Sequence, residues 1–84
     1  MKNKEFITDN IALASAVAIF TPLLEIRPHE EKVGKFNFVF LDNGKVDVIV
    51  DRFWRDDLMV SALRYHQELK NLKTRMYDQV KYDK

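Results

Sequence analysis

Apolar and polar residues follow different periods along this chain, and each change of period marks a predicted element. Residues 11–20 are apolar or small. The members that recur at helical spacing form one stripe: Leu13, Ala14, Val17, Ala18 and Phe20. Thr8 or Asp9 could cap this segment through a side-chain oxygen, and Pro22 prevents a longer helix. The pattern predicts a first helix whose stripe packs in the core.

Two segments after this helix have the pattern of β-strands. Residues 23–27 are apolar-rich and bounded by two prolines, and residues 35–41 alternate with period two. The alternation gives one face three aromatic residues: Phe36, Phe38 and Phe40. Residues 29–34 are polar and contain a Gly, as in a hairpin loop. We expect two antiparallel strands whose phenylalanines face the core rather than stack on RNA bases, because the basic-aromatic signature of a sheet-surface RNA binder is missing.

Residues 42–57 fit two structures. Asn43-Gly44 is a strong hairpin signal, after which Val46, Val48 and Val50 would share one face of a third strand. In the helical alternative Asp42 or Asn43 is the cap. Four apolar residues then recur at helical spacing: Val46, Ile49, Val50 and Phe53. The pattern by itself leaves both structures open.

The last third of the chain predicts a long amphipathic helix. Residues 58–60 look like an extended joint, and Ser61 can cap the helix that follows. Its apolar residues recur at spacings of three and four: Ala62, Tyr65, Leu69, Leu72, Met76 and Val80. Together the elements predict one α+β domain over residues 1–84, a two-stranded antiparallel hairpin with three helices in the order α-β-β-α-α.

The composition narrows the classes of function. The chain has 84 residues, 46% of them hydrophobic and only two each of Gly and Pro, which indicates a compact domain rather than a disordered segment. It has no Cys, so disulfides and zinc-thiolate sites are excluded and a cytoplasmic setting is expected. The apolar run over residues 11–20 is well short of the roughly 20 residues that span a bilayer. We expect no membrane association.

The stretch DRFWRDD, residues 51–57, contains the most suggestive side chains. Trp54 between Arg52 and Arg55 has the composition of an interface anchor, although a place at the edge of the core is favoured for its ring. Asp56 and Asp57 could ligate a cation, but neighbouring helical residues point about 100° apart, so no metal site is predicted. On a helix, Asp51 would form an exposed i, i+4 pair with Arg55.

Other chemistry has little support in the sequence. His29 and His66 have no partners at metal-ligand spacing. No catalytic Ser-His-Asp order, Gly-rich phosphate loop or dinucleotide fingerprint is present, so neither an enzyme nor a cofactor is expected. Net charge is only +1, but residues 61–84 carry six Lys or Arg against three acids. The basic candidates for nucleic-acid binding lie there: Lys70, Lys73, Arg75 and Lys81.

Short motifs along nearly the whole chain carry a family resemblance. They are Phe6-x-Thr8-Asp9, Ala12 to Ala14, Ile26, Phe38-x-Phe40, Phe53-Trp54, Val60, Leu72-Lys73 and Met76-Tyr77. In these residues the chain resembles a small family of unknown function, found in phage, prophage, bacterial and archaeal proteins. The resemblance implies the order helix-strand-strand-helix-helix, which favours a helix over residues 42–57, and it implies no activity. Where such sequences place a Gly after the first helix, this chain has Phe20-Thr21-Pro22.

These observations lead to two functional hypotheses. The first is a non-catalytic interaction module that binds a protein partner or itself through Trp54, Arg52, Arg55 and the outer side of the last helix. Within it, the phage association leaves room for an inhibitor of a host protein. The second is a nucleic-acid-binding accessory protein that uses the basic last helix.

Overall fold

The chain folds into an α+β domain with three helices, as expected, and a three-stranded antiparallel sheet. A computed structural model gives the backbone of residues 4–82 and the side-chain surroundings of residues 4–79. The elements in chain order are β1 (Lys4–Thr8), α1 (Ile11–Phe20), β2 (Leu23–Pro28), β3 (Phe36–Asp42), α2 (Val46–Trp54) and α3 (Ala62–Tyr82). The predicted β2–β3 hairpin is confirmed to within a residue or so at each end.

The sheet has one more strand than the sequence predicts. Its order is β1-β3-β2, so β3 is central and pairs antiparallel with both neighbours. The hairpin is therefore part of a three-stranded sheet rather than a sheet of two strands, and the predicted order α-β-β-α-α lacks the first strand: the order is β-α-β-β-α-α. β1 escapes detection because it is only five residues long and alternates weakly. Its pairing, from Lys4 opposite Asp42 to Thr8 opposite Phe38, joins distant parts of the chain.

The core lies between α1 and the inner face of the sheet. Phe36, Phe38 and Phe40 are buried there, which confirms the core interpretation of the triple-Phe face. The middle of α1 is buried on all sides, since five consecutive residues, more than one helical turn, are buried there: Leu13, Ala14, Ser15, Ala16 and Val17. The small side chains among them allow close packing. Phe20 was also expected in this core, but its side chain is 45% exposed. The ring instead lines a groove on the surface of the domain.

Polar side chains fix the turns, although not always the ones expected. Asn10, rather than Thr8 or Asp9, caps α1 by accepting a hydrogen bond from the Leu13 N–H at 3.1 Å. After α1, the Thr21 hydroxyl donates to the Leu41 carbonyl at 2.6 Å. This bond ties the Phe20-Thr21-Pro22 turn to the sheet and does so without a Gly.

Residues 46–54 are the helix α2, and the third-strand alternative for this segment is wrong. Val46 and Ile49 are buried on its inner side. Neither Asp42 nor Asn43 caps the helix: Asp42 accepts from the Gly44 N–H at 2.9 Å, and Asn43 accepts from the Lys45 N–H at 3.1 Å. The two side chains shape the turn before α2 and leave Lys45 as the cap residue without a side-chain hydrogen bond.

α3 packs along α1 with the predicted apolar seam, whose last member, Val80, lies outside the described side chains. Ser61 accepts from the Arg64 N–H at 3.2 Å, so the predicted cap is confirmed. Tyr65 donates its hydroxyl proton to the Ala12 carbonyl at 3.0 Å, and Leu72 is buried. Ala62, at the start of the seam, is exposed. Over residues 4–82, none of the helices has the length and apolar character needed to cross a bilayer.

Candidate functional site

The end of α2 reverses the chain and creates a wall of a surface groove. Asp56 has a positive φ of 61°, the left-handed conformation that side chains other than Gly, Asn and Asp adopt rarely. Its N–H donates to the Phe53 carbonyl at 3.1 Å, and the Asp57 N–H donates to the Arg52 carbonyl at 3.0 Å. This paired pattern is a Schellman motif. The motif directs the segment that follows back along α2. This segment, residues 57–61, has no regular secondary structure, and we call it the joint.

The returning joint, α2 and the end of α1 enclose an open groove of about 480 Å³, which we call the α2 groove. Its apolar lining comes from three separate parts of the chain: Phe20, Val48, Ile49, Leu58 and Met59. The Gly44-Lys45 turn and Arg52 complete it. Because the groove requires α1, α2 and the joint together, it exists only in the folded chain.

Three apolar side chains of the α2 groove are exposed to solvent. Phe20, Val48 and Met59 keep 45%, 57% and 87% of their surface in contact with solvent. Single exposed apolar residues are common on proteins, whereas large contiguous groups of them mark interaction surfaces. A solvent-facing Phe, Val and Met that share one concave surface form such a group.

The charged residues of the α2 groove are both cations. Lys45 and Arg52 are exposed, and within the described part of the chain neither forms a salt bridge. The nearby acid Asp51 is engaged elsewhere, since its carboxylate lies 3.2 Å from Arg55 Nε in the predicted i, i+4 pair. The groove therefore combines an apolar lining with a basic rim.

Trp54 lies away from this groove, and its predicted place at the core edge is wrong. The ring is 63% exposed and stands edge-on against Phe53, with ring centroids 5.1 Å apart. Residues two apart on a helix point roughly 160° away from each other, so Trp54 and Arg52 face different sides of α2. Of the predicted trio Trp54, Arg52 and Arg55, only Arg52 lines the groove.

The basic residues of α3 are also divided. Lys70 and Lys73 are exposed and share one side of the helix with His66 and Tyr77, at i, i+4, i+7 and i+11. Arg75 lies roughly 140–160° from these lysines around the helix. The side chain of Lys81 lies outside the described residues. The predicted set of four therefore does not form a single stripe.

The candidates for metal binding or acid–base chemistry stay dispersed. In residues 4–79 the structure groups no three His, Asp or Glu side chains in a way that could hold an ion. His29 accepts from the N–H groups of Glu31 and Lys32 through Nδ1, at 3.1 and 3.2 Å, and its Nε2 lies 3.7 Å from Asp9. His29 therefore organises the β2–β3 loop.

The pKa values of Glu25 and Arg27 are shifted by their mutual contact, and both residues lie on the outer face of the sheet, outside the groove lining. The Arg27 guanidinium donates a hydrogen bond to Glu25 at 2.9 Å, and this bond lowers the pKa of the Glu25 carboxyl. The same bond, opposed by partial desolvation, raises the pKa of Arg27. The contact is exposed, so it concerns surface electrostatics rather than chemistry at a site.

The groove residues that sequence reasoning missed are Phe20, Val48 and Met59. Phe20 fits the helical stripe of α1, and helical spacing does not show that its ring is left uncovered. Val48 did give a signal, since it is an apolar residue outside the inward stripe of α2. Met59 gave another, an apolar residue in a joint with no regular structure.

Comparison with known proteins identifies a family but no characterised relative. No curated protein and no solved structure matches the chain. The model of a family described as Domain of unknown function (DUF5659) matches residues 3–78, nearly the whole chain. The protein therefore belongs to this family of domains of unknown function.

Proposed function

We propose that this protein is a non-catalytic interaction module that binds a protein partner in the α2 groove. The observation that supports the proposal is the exposed apolar lining of the groove, where Phe20, Val48 and Met59 remain accessible together. Covering these side chains removes apolar surface from water at about 25 cal/mol per Å². A partner that inserts an apolar side chain gains this free energy without any change in the fold.

The groove has properties suited to binding a segment of another chain. Met59 is unbranched and flexible, so it can adjust to the shape of an inserted side chain. The backbone N–H groups of Leu58 and Met59 donate no backbone hydrogen bond within the described residues. They are free to pair with carbonyl groups of a partner that lies along the joint. Apolar burial would provide affinity, and these donors would fix the partner's direction.

Peptide selection tests this proposal. The full chain is used to select from a displayed library of random peptides, and each selected peptide is synthesised and titrated against variants. Met59→Asp should weaken binding by about tenfold or more, because a charge then replaces an apolar contact at the centre of the interface.

Leu63→Asp is the matched control. Leu63 is 66% exposed and apolar like Met59, but it lies on α3 outside the groove lining. It should leave the affinity within about twofold, and thermal melts should show both variants folded. Equal effects of the two substitutions, or a library that yields no Met59-dependent peptide, would contradict the proposal.

The stripe of His66, Lys70, Lys73 and Tyr77 supports a second candidate function, nucleic-acid binding along α3. A row of cations beside an exposed aromatic ring can follow a phosphate backbone. In this case Lys70→Glu should abolish binding of single-stranded DNA or RNA at low salt, and affinity should fall steeply as salt rises. Arg75→Glu, on another side of α3, is the control. If the protein binds neither nucleic acid at low salt, this candidate is wrong.

We place the module in the cytoplasm, because a chain without Cys gains nothing from an oxidising compartment. The phage or prophage setting implied by the resemblance suits a small binding protein, whose targets would then include host proteins. Neither catalysis nor a cofactor forms part of the proposal.

A further inference from the structure

We propose that the α2 groove selects an acidic partner segment, one in which an apolar anchor residue lies between two carboxylates. This inference rests on the proposed function, since it specifies the chemistry of the segment that the groove would bind. It comes from the charges at the rim and from their spacing along α2.

Both charged side chains that line the groove are cations, and they lie on either side of its apolar part. Lys45 precedes the first turn of α2 and Arg52 follows seven positions later, with Val48 between them. At 1.5 Å per residue their backbones are about 10 Å apart along the helix. A bound segment with carboxylates on both sides of its anchor would therefore meet a cation at each end.

The cations are also available to a partner. Arg52 and Lys45 lack salt bridges within the described residues, whereas Arg55, one turn further along, is held by Asp51 at 3.2 Å. A free guanidinium can bind a carboxylate through two parallel hydrogen bonds without first breaking an internal pair. Arg52 is thus the better placed of the two arginines to choose a partner by charge.

The same charges disfavour a second copy of this chain as the occupant. A twofold dimer places the same patch of each protomer against the other. Across the groove, Lys45 and Arg52 would meet their own copies, and like charges brought together in this way oppose association. A homodimer through the groove therefore lacks the electrostatic complementarity that an acidic segment has.

The apolar lining disfavours nucleic acid. Single-stranded nucleic acids bind through aromatic side chains that stack on successive bases. The groove has one aromatic residue, Phe20, and its other apolar residues are aliphatic or thioether side chains. Two cations beside such a surface match a peptide with an apolar anchor better than a phosphate backbone.

Charge exchange between protein and peptide provides the test. The probe is the tightest Met59-dependent peptide from the selection, together with versions in which its acidic residues become Gln or Lys. The double variant Lys45→Glu/Arg52→Glu should bind the original peptide at least about tenfold more weakly, and it should bind the Lys version better than the unmodified protein does. Lys32→Glu, a charge reversal at an exposed position of the β2–β3 loop outside the groove lining, should leave binding unchanged.

The possible results separate this inference from the function on which it rests. Selected peptides that need Met59 but carry no acidic residues, or that bind the double variant equally well, would overturn the acidic-partner inference and leave the binding module intact. Failure to obtain any Met59-dependent peptide would overturn the proposed function itself. A concentration-dependent dimer that Met59→Asp dissociates, measured by sedimentation, would replace the acidic segment with a second copy.

Discussion

Two surfaces of this protein, the outer face of the sheet and the α2 groove, expose apolar side chains. They differ in whether the charged residues beside those side chains form salt bridges. On the outer face of the sheet Ile7 and Leu24 are each 47% exposed, about as much as Phe20 in the α2 groove. On that face Arg27 lies between two acids, 2.9 Å from Glu25 and 3.4 Å from Glu5, so its charge is compensated. In the groove, Lys45 and Arg52 form no salt bridge with any residue whose side chain the structure describes.

The outer face is closed by its own side chains. Arg27 on β2 reaches Glu5 on β1, so their contact spans the central strand. Val39 on that strand is fully buried, although the helices pack against the opposite, phenylalanine-bearing face. The exposure of apolar side chains therefore does not distinguish the two surfaces. The two surfaces differ in their charged residues, which form salt bridges on the outer face but not, within the described residues, in the groove. The groove is therefore the surface whose charges remain available to a partner.

The largest expected difference between the two surfaces is in the free energy of unfolding when a valine at each is replaced by a charged residue. Val39→Asp should destabilise the protein by about 3 kcal/mol or more, because it leaves an unpaired carboxylate in a buried position. Val48→Asp, on the groove, should change the free energy of unfolding by less than about 0.5 kcal/mol because Val48 is exposed. Urea unfolding of both variants measures the difference. Similar losses would mean that the groove is part of the core.

A smaller effect is expected at the turn that forms the groove wall. Asp56→Gly should stabilise the protein by about 0.5–1 kcal/mol, because Gly adopts the left-handed conformation without the steric cost that an Asp side chain meets. Asp56→Ala keeps a Cβ and should show no such gain. If thermal unfolding ranks Ala above Gly, the Schellman geometry at this turn is not maintained in solution.

The smallest effect concerns the pH response of the outer face. Hydrogen bonding to Arg27 lowers the pKa of Glu25 in the folded state, so the contact stabilises the fold above the ordinary Glu pKa. This contribution is lost as the pH falls through the lowered pKa. Arg27→Gln should therefore reduce the loss of stability between neutral and acidic pH, measured as denaturation midpoints across that range. An unchanged pH profile would show that the contact does not contribute to the pH dependence of stability.

The fold could be predicted from the sequence wherever a pattern is local. The Pro-bounded segment before the loop, the alternating phenylalanines and the long seam of α3 each depend on neighbours in the chain, and each was identified. Residues 42–57 fit two structures locally, and β1 was missed because its five residues become a strand only by pairing with β3. Strand identity depends on a partner, so a short strand with a distant partner leaves a weak signal.

The candidate site could be predicted only in part. Arg52 was identified, but its expected companion Trp54 faces another side of α2, and the residues that do surround Arg52 come from α1 and the joint. A binding role for the exposed Trp54 remains a prediction. Phe20 matched the core stripe equally well, because helical spacing gives the direction of a side chain and says nothing about what covers it.

The sequence by itself determined the class of the domain, its first and last helices, the hairpin and the phenylalanine core, because period, capping and breaker residues act over a few positions. The tertiary structure alone decided which apolar residues remain uncovered and that Phe20, Val48 and Met59 meet in one groove. It also decided that Arg27 is paired with two acids, whereas Arg52 forms no salt bridge within residues 4–79. These features depend on contacts between segments far apart in the chain, and such contacts exist only once the core has brought those segments together.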